Sequence, residues 1–260
     1  MCDAVSGGCA GTPGADPRAA VAHDVAGEAL QLGVYPTGLF PAANNMAFDF
    51  HMLGESALRG IPLFRHYGWE PKAFTFGYTQ RLSDVIRRIG PASGVDLCRR
   101  PSGGGIVDHR NDWTYALAIP AVHPLAKRGP MAMYCGVHQA LADALAEMGV
   151  QAGLWHPAPG EASGGMSCFE RPSPGDVVLS GWLKVAGAAM KRTRDGVLIQ
   201  GSLDRSRVPP IDDEWMLEAF GGRLIHLLEA KQRLRLVLPE PESLEPELSC
   251  YRTPAWNELR

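Results

Sequence analysis

Residues 99–109, RRPSGGGIVDH, decide how the rest of the chain is interpreted. Three consecutive glycines follow two arginines and precede a histidine. Glycine loses more backbone entropy on ordering than any other residue, so such a run indicates a place where bare backbone is needed. Strands are predicted at VDLCRR before the run and DWTYALAIP after it. The stretch is therefore predicted to be a loop between two strands.

This loop does not match the common phosphate-binding motifs. It lacks the Lys-Ser/Thr pair of a P-loop, and both its spacing and the strand after it exclude the dinucleotide fingerprint. Without Cβ atoms its backbone N–H groups can approach a ligand oxygen closely, and Arg99 and Arg100 can bind the same anion. The alternative is that the stretch binds no ligand and is only a tight hairpin with a bulge.

Composition and charge limit the class of protein. The chain has 260 residues, of which 45% are hydrophobic and 20% charged, and its net charge is -3. That length suits one large domain, and the charge excludes a dedicated nucleic-acid binder. No apolar run could span a membrane and no signal peptide is visible, so a soluble cytoplasmic protein with no membrane partner is expected. Residues 1–28 are predicted to form a disordered tail, and residues 29–260 the domain.

The six cysteines, at 2, 9, 98, 135, 168 and 250, form no C-x-x-C pair. No H-E-x-x-H motif occurs either. The sequence therefore predicts no metal site and no disulfide framework.

The hydrophobic pattern predicts helices and strands in separate runs. Helices are predicted at 42–59, 82–90, 131–149 and 212–230, the last with a possible break at Gly221-Gly222. The segments 176–181, 183–192 and 196–204 are predicted to form an antiparallel meander. The alternation in 112–120 suits a half-buried strand, and 151–167 is predicted to be a long mobile loop. This arrangement predicts an α+β fold with a mixed or antiparallel sheet and segregated helices.

The glycine stretch resembles a family signature, Arg-Arg-x-Ser-Gly-Gly-Gly-x-Val followed by a His. The signature belongs to the superfamily of lipoate–protein ligase A, biotin ligases and the octanoyltransferases of lipoate assembly. NNMAFDFHML, PLFRHYGWEPKAFTFGYTQ, LKVAGAAMKRTRDGVLIQGSL and YRTPAWNELR are similar to further family segments, so the resemblance covers about residues 30 to 260. It implies a single biotin/lipoyl ligase-like catalytic domain.

The resemblance also implies a site for the acyl group. In the family, the glycine loop and its arginine hold the carboxyl or acyl-phosphate end of the acyl chain. The corresponding substrate-binding residues here are Arg100, Ser102, Gly103, Gly104, Gly105 and Gly187. His109 is either a further contact to the acyl group or a structural histidine bonded to backbone. Lys184, in the family's Lys-x-x-Gly pattern, corresponds to the catalytic lysine. Asp49 is assigned no role.

Cys168 is the candidate nucleophile. CFERPSPGDVV is similar to the Cys-Phe-x-x-Pro-Ser run of the octanoyltransferases, in which the cysteine forms an acyl thioester. A thiolate attacks a thioester carbonyl without ATP, and a nearby ammonium lowers the thiol pKa and stabilises the oxyanion. Lys184 is expected to supply that ammonium. Cys98 and Cys135 are predicted to be packing residues.

Three functions remain open. The first is an acyltransferase that moves an octanoyl or lipoyl group from octanoyl-acyl carrier protein, through Cys168, to a lysine of lipoyl domain proteins (glycine cleavage H protein, 2-oxoacid dehydrogenase E2). It requires no cofactor. The second is an ATP-dependent lipoate–protein ligase, which uses free lipoate or octanoate with ATP and Mg through lipoyl-AMP. The third is a non-catalytic binder of lipoyl or acyl-carrier domains.

Two features favour the transferase, namely Cys168 and a chain little longer than the catalytic domain. Ala188 and Met190 stand where the family often has Ser and Gln, which implies fewer polar contacts to a nucleotide. The run KRTR at 191–194 is either a solvated turn or a docking point for an acidic carrier.

Overall fold

The computed structural model describes residues 31–90, 94–158 and 171–259. The strands in these ranges are β1 (Gln31–Val34), β2 (Gly38–Phe40), β3 (Leu63–Trp69), β4 (Ala73–Phe76), β5 (Asp96–Arg99), β6 (Val107–Asp108), β7 (Asp112–Pro120), β8 (Ala152–Leu154), β9 (Val177–Leu179), β10 (Leu183–Arg192), β11 (Gly196–Asp204) and β12 (Gln232–Arg235). The helices are α1 (Ala42–Arg59), α2 (Leu82–Ile89), α3 (Pro130–Glu147), α4 (Asp213–Leu227), α5 (Pro241–Tyr251) and α6 (Pro254–Asn257), and short 3₁₀ turns lie at Pro124–Lys127 and Arg205–Arg207.

Two sheets organise the described part of the chain. Nine of its strands form one mixed sheet in the order β12-β1-β3-β7-β11-β10-β9-β8, with β2 beside β3. β3, β7, β11, β10 and β9 are antiparallel neighbours, whereas β1 is parallel to both β3 and β12. The second sheet has the order β5-β4-β6, and the glycine stretch joins its outer strands β5 and β6. The chain is thus an α+β protein with a mixed sheet, as predicted.

The central strand β7 is buried on both faces. Trp113 and Leu117 pack with α3 and α4, whereas Ala116 and Ala118 pack with α1 on the opposite face. The prediction that this strand is half-buried is therefore wrong. The alternation of large and small apolar residues reflects two packed faces, because helices cover the sheet on both sides.

Most predicted helices and the meander are confirmed. β9, β10 and β11 pair in antiparallel fashion, and α1, α2 and α3 lie where the periodicity placed them. The predicted last helix is confirmed as α4, and the possible break does not occur, because Gly221 lies inside a continuous helix. There it packs against Arg233, whose Nη2 would be 3.0 Å from a Cβ at position 221.

Other segments differ from the prediction. The predicted loop 151–167 begins with β8, which pairs with β9, and the rest of it from residue 159 lies outside the described residues. Helix α5 was not predicted, although Leu244, Leu248 and Tyr251 recur at helical spacing and are buried. The predicted tail 1–28 also lies outside the described residues, so the division into tail and domain stays a prediction. In the described ranges no helix is long and apolar enough to cross a membrane.

A buried polar cluster joins α1 to the large sheet. Asp49 of α1 is fully buried, and its Oδ1 accepts a hydrogen bond from Arg65 Nε at 2.8 Å. Its Oδ2 accepts from Tyr67 Oη at 2.8 Å and from Gln200 Nε2 at 2.7 Å. Burial raises the pKa of Asp49, and the Arg65 guanidinium opposes that shift. Asp49 therefore has a structural role that the sequence did not predict, although it lies three residues after Met46 on the apolar face of α1.

This pair yields a prediction about stability. Arg65→Met keeps the aliphatic stem but leaves the Asp49 charge buried without its cation, and we expect a loss of about 3–5 kcal/mol in the free energy of unfolding. Arg59→Met is the matched control, because Arg59 makes the same contact to Glu55 at 2.7 Å with a side chain that is 45% exposed. The control should lose less than about 1 kcal/mol in urea denaturation. Equal losses in the two variants would contradict the role of Arg65.

Candidate active site

A narrow cavity lies between the large sheet and the glycine stretch. Its polar lining includes Thr75, Arg100, His109, Lys184, Gln200 and Ser202. Apolar lining comes from Met46, Trp69 and Val107, and from Gly187 and Ala188 of β10. The cavity thus combines an apolar wall with cationic groups, which suits a ligand with an alkyl chain and a polar end.

Of the eight predicted site residues that lie in the described part of the chain, four share this cavity and four do not. Arg100, His109, Lys184 and Gly187 line it. Ser102 and the three glycines 103–105 are not among its lining residues. The glycine stretch therefore contributes the Arg100 side chain to the cavity wall, whereas its three glycines do not line the cavity.

The side chain of Lys184 in β10 points towards Asp176, the first residue after a tight turn. The pairing of β10 with β9 shifts register between Lys184 and Ala186, and such a bulge re-aims the side chains around it. The Lys184 side chain is 7% exposed, and its Nζ lies 2.7 Å from Asp176 Oδ2. A Cβ at Gly187 would come within 2.8 Å of that Nζ. Gly187 therefore leaves the space that the ammonium occupies.

Asp176 is a site residue that the sequence did not predict. Its carboxylate is fully buried, and it accepts hydrogen bonds from Ser173 N at 2.5 Å and from the Tyr134 hydroxyl. Tyr134 Oη in turn accepts a hydrogen bond from Ala188 N at 3.2 Å. Burial and the neighbouring Asp176 raise the pKa of Tyr134 well above its usual value, so the phenol keeps its proton. No local pattern marks these partners, because 42 residues separate Tyr134 from Asp176.

The glycine loop folds around the Arg100 guanidinium. Arg100 Nη2 donates to the carbonyl oxygens of Gly103 and Gly105 at 2.9 and 2.8 Å. A Cβ at Gly77 would lie 1.9 Å from Gly104 O, and Gly104 has a φ of 89°, which favours glycine. The hairpin alternative is wrong, because β5 and β6 both pair with β4 and not with each other.

Arg99 does not join Arg100 at an anion site, so that expectation is wrong. Its side chain is fully buried, and its Nε and Nη2 donate to the carbonyl oxygens of Trp256 and Asn257 at 3.0 and 2.8 Å. Its Nη1 donates to the carbonyl oxygen of Gln80 at 2.8 Å. Successive residues of a strand face opposite sides of the sheet. The Arg99 side chain therefore points to the C-terminal segment and the Arg100 side chain to the cavity.

Ser102 and His109 are held by other protein groups. The Ser102 hydroxyl donates to Gln200 Oε1 at 2.6 Å, which ties the glycine loop to the Asp49 cluster. His109 stacks on Trp69 with ring centroids 4.0 Å apart. Its Nδ1 lies 2.7 Å from Asp112 Oδ2, and its Nε2 lies 2.7 Å from Thr75 Oγ1.

The two ring nitrogens of His109 contact different groups. Nδ1 donates to the carboxylate of Asp112. Nε2 contacts the Thr75 hydroxyl, which also accepts a hydrogen bond from Arg100 Nη1 at 2.7 Å. Both nitrogens are occupied within the protein, which favours the structural interpretation of His109, although its ring lines the cavity.

The structure describes Cys98 and Cys135 but not the candidate nucleophile Cys168. Cys168 lies in 159–170, outside the described residues, so its pairing with Lys184 stays a prediction. Cys98 is buried in β5, and burial raises its pKa to about 12, as expected for a packing residue. Cys135 is partly buried in α3. In the described ranges no group of three or more His, Cys, Asp or Glu side chains could hold a metal ion.

The KRTR run lies at the end of β10 and in the turn before β11. Arg194 is 86% exposed, as a solvated turn requires. Arg192 Nη1 donates to Ala126 O at 2.9 Å, and Lys191 Nζ lies 5.4 Å from the centroid of the Tyr78 ring. Part of the run is therefore held by the protein, and docking of a carrier stays a prediction.

Solved structures share this fold. Lipoate-protein ligase A bound with ATP superposes with a TM-score of 0.67 at 16% identity, covering 88% of this chain and 98% of the other. Protein Ta0514 from T. acidophilum with bound lipoic acid superposes with a TM-score of 0.67 at 18% identity, covering 88% and 99%. At these identities the comparison establishes the fold.

Curated relatives are similar in sequence. The octanoyltransferase LipM of Macrococcus caseolyticus is 31% identical over 187 residues, which cover 68% of this chain and 65% of that protein. The octanoyltransferase LipM of Kyrpidia tusciae is 32% identical over 178 residues, which cover 64% and 63%. The aligned region thus spans less than two thirds of the length of either relative.

A family model confirms the resemblance of the glycine stretch. The model of the lipoyl protein ligase A/B catalytic domain matches residues 41–206, which include the glycine loop, Asp176 and Lys184. That match covers more than half of the chain. This chain belongs to the lipoyl protein ligase A/B catalytic domain family.

Proposed function

We propose that this chain is an acyltransferase of protein lipoylation, which transfers an octanoyl or lipoyl group from a carrier thioester to a lysine of a lipoyl domain. The observation that carries the proposal is the Lys184 ammonium, which is 7% exposed and lies in the cavity lined by Arg100 and an apolar wall. Lysines are almost never fully buried unless they are paired. The relatives named octanoyltransferase support this class of reaction.

The first step forms an acyl-enzyme on Cys168. The Cys168 thiolate attacks the thioester carbonyl carbon of the donor, and the carbonyl electrons move onto oxygen. The intermediate collapses, a new carbon–sulfur bond remains, and the carrier thiolate leaves and takes a proton from solvent. The Lys184 charge stabilises the transient oxyanion, and Met46, Trp69 and Val107 contact the alkyl chain.

The second step transfers the acyl group to the acceptor. The neutral amine of the acceptor lysine attacks the Cys168 thioester, an amide bond forms, and the Cys168 thiolate leaves. The amine proton passes to solvent. A thioester is already an activated acyl group, so neither step requires ATP. Octanoyl-acyl carrier protein is the proposed donor, and glycine cleavage H protein and 2-oxoacid dehydrogenase E2 are the proposed acceptors.

Omission of the nucleotide tests this function. The full chain is incubated with octanoyl-acyl carrier protein and an apo lipoyl domain, with and without ATP and Mg, and octanoylated acceptor is measured by mass. We expect equal transfer in both mixtures. Cys168→Ser should lose transfer, and Lys184→Ala should lose about two to three powers of ten in rate.

Cys250→Ser is the control for loss of a thiol, because Cys250 lies in α5 and does not line the cavity, and it should keep the wild-type rate. A strict need for ATP with release of AMP would move the protein to the lipoate–protein ligase function with free lipoate or octanoate as substrate. Binding of the lipoyl domain with no acyl product in either mixture would leave the non-catalytic binder.

The space beside Gly187 gives a second prediction. In Gly187→Ala the new methyl group would stand 2.8 Å from Lys184 Nζ and 3.1 Å from Asp176 Oδ1, and it would displace the ammonium. Because a misplacement of about 1 Å can cost about 100-fold, we expect the transfer rate to fall tenfold to 100-fold while the fold is kept.

Gly153→Ala is the matched control in strand β8 of the same sheet, where a Cβ meets no atom within 4 Å. It should leave the rate unchanged. Wild-type turnover by Gly187→Ala would show that the position of the Lys184 ammonium does not matter for transfer.

A further inference from the structure

We propose that Asp176 and Tyr134 are positioning residues, which fix the Lys184 ammonium relative to the turn that follows the Cys168 segment. The proposal rests on the proposed function, in which Lys184 acts on the oxyanion formed at Cys168. It assigns roles to two side chains that lie outside the recognised glycine and lysine motifs. Three sets of contacts hold the Lys184 ammonium in place.

The first set fixes Asp176 itself. Its backbone N–H donates to Ser173 O at 2.9 Å, and its carbonyl oxygen accepts from Trp155 N at 2.8 Å. Its Oδ2 accepts from Ser173 N at 2.5 Å and contacts Lys184 Nζ at 2.7 Å. A single carboxylate oxygen thus binds both the turn and the lysine. Ser173 follows Cys168 by five positions in the sequence, so this turn lies close to the proposed nucleophile along the chain.

The second set fixes the other carboxylate oxygen. Pairing of β9 with β10 ends at Ala186, so the backbone N–H of Ala188 reaches past the end of β9. Tyr134 Oη accepts that N–H at 3.2 Å and donates its own proton to Asp176 Oδ1. Tyr134 therefore links α3 both to the strand that carries Lys184 and to the carboxylate that holds the Lys184 ammonium.

The third set holds the turn against α3. His138 lies one helical turn after Tyr134, and its Nδ1 lies 2.7 Å from Gly175 O. Burial lowers the pKa of His138 to about 4, so the ring is neutral near pH 7 and Nδ1 donates its proton to that carbonyl. Gly175 also packs closely on α3, since a Cβ there would lie 2.9 Å from Cys135 Sγ. The turn and the helix therefore form one rigid support.

These contacts restrict a side chain that is flexible by nature. Lysine has a flexible four-carbon stem, so an unsupported ammonium has no single position. The three N–H donors of an ammonium have fixed mutual angles, and a carboxylate that binds one of them limits the directions of the others. We infer that loss of the Asp176 charge lowers the rate of acyl transfer through Lys184 and does not act by a separate route.

A double-mutant cycle tests this inference. Asp176→Asn keeps the shape of the side chain and a carbonyl oxygen as acceptor, and it is made in wild type and in Lys184→Ala. We expect kcat for acyl transfer to fall tenfold to 100-fold in wild type, with KM for the octanoyl donor changed less than twofold. In Lys184→Ala the same substitution should cause no further loss. Independent losses that multiply in the double variant would overturn the proposal.

Tyr134→Phe probes the second positioning residue. Removal of its hydroxyl leaves Asp176 Oδ1 and Ala188 N without this partner, and kcat should fall about threefold to tenfold in wild type only. Tyr115→Phe is the matched control, because the Tyr115 hydroxyl is buried with no hydrogen-bond partner in the described part of the chain. It should keep the wild-type kcat. Equal kcat values for wild type and Tyr134→Phe would overturn the role of Tyr134.

Acetylation of lysines under non-denaturing conditions separates this proposal from the proposed function. The chain is treated briefly with an N-hydroxysuccinimide ester of acetic acid, and labelling at Lys184 and at Lys191 is measured by peptide mass. The ester reacts with the free amine form of a lysine that can reach it, and Asp176 holds the Lys184 nitrogen in a place where the side chain is 7% exposed. Asp176→Asn releases that nitrogen, so it should raise labelling at Lys184 and leave Lys191 unchanged. This result is expected even if wild type transfers no acyl group. Unchanged labelling at Lys184 would overturn the positioning role by itself.

Discussion

The ion pair between Lys184 and Asp176 is buried, with side chains 7% and 0% exposed, and the surrounding structure is arranged to hold it. Removal of one partner from such a pair typically costs about 3–5 kcal/mol, because the other charge stays out of water. The missing Cβ of Gly187 leaves room for the ammonium, and the hydroxyl of Tyr134 donates to the carboxylate. The register shift in β10 begins at Lys184 itself. A cation fixed in a largely apolar cavity acts more strongly on a developing negative charge than it would in water.

The opposite side of the cavity depends on how two adjacent arginines diverge. Arg99 binds the carbonyl oxygens of Trp256 and Asn257 and so fastens the C-terminal segment to β5. Arg100 draws the carbonyl oxygens of Gly103 and Gly105 around its guanidinium at the cavity. The cost of ordering three glycines is therefore offset by charge-assisted hydrogen bonds and by the close approach of Gly77 to the loop. The same short stretch serves both the stability of the fold and the shape of the site.

Local features could be predicted from the sequence and long-range pairs could not. The helical spacing in 42–59 and the meander 176–204 are local patterns, and the glycine and lysine motifs are contiguous, so these features were found. The partners Asp176 and Tyr134, and the pair of Asp49 with Arg65, join segments that only the folded sheet brings together. Burial on both faces of β7 was missed because a large–small apolar alternation resembles the pattern of a half-buried strand. The role of Cys168 stays a prediction.

Mapping of the acyl group after exposure to donor alone tests the central claim most directly. The full chain is mixed with octanoyl-acyl carrier protein without ATP, digested at low pH and analysed by peptide mass before and after neutral hydroxylamine. Our account predicts an octanoyl group on the peptide that contains Cys168, removed by hydroxylamine as a thioester is, and strongly reduced in Lys184→Ala. An octanoyl group that resists hydroxylamine on Lys184, or the absence of any adduct in a protein that transfers octanoyl groups, would contradict it.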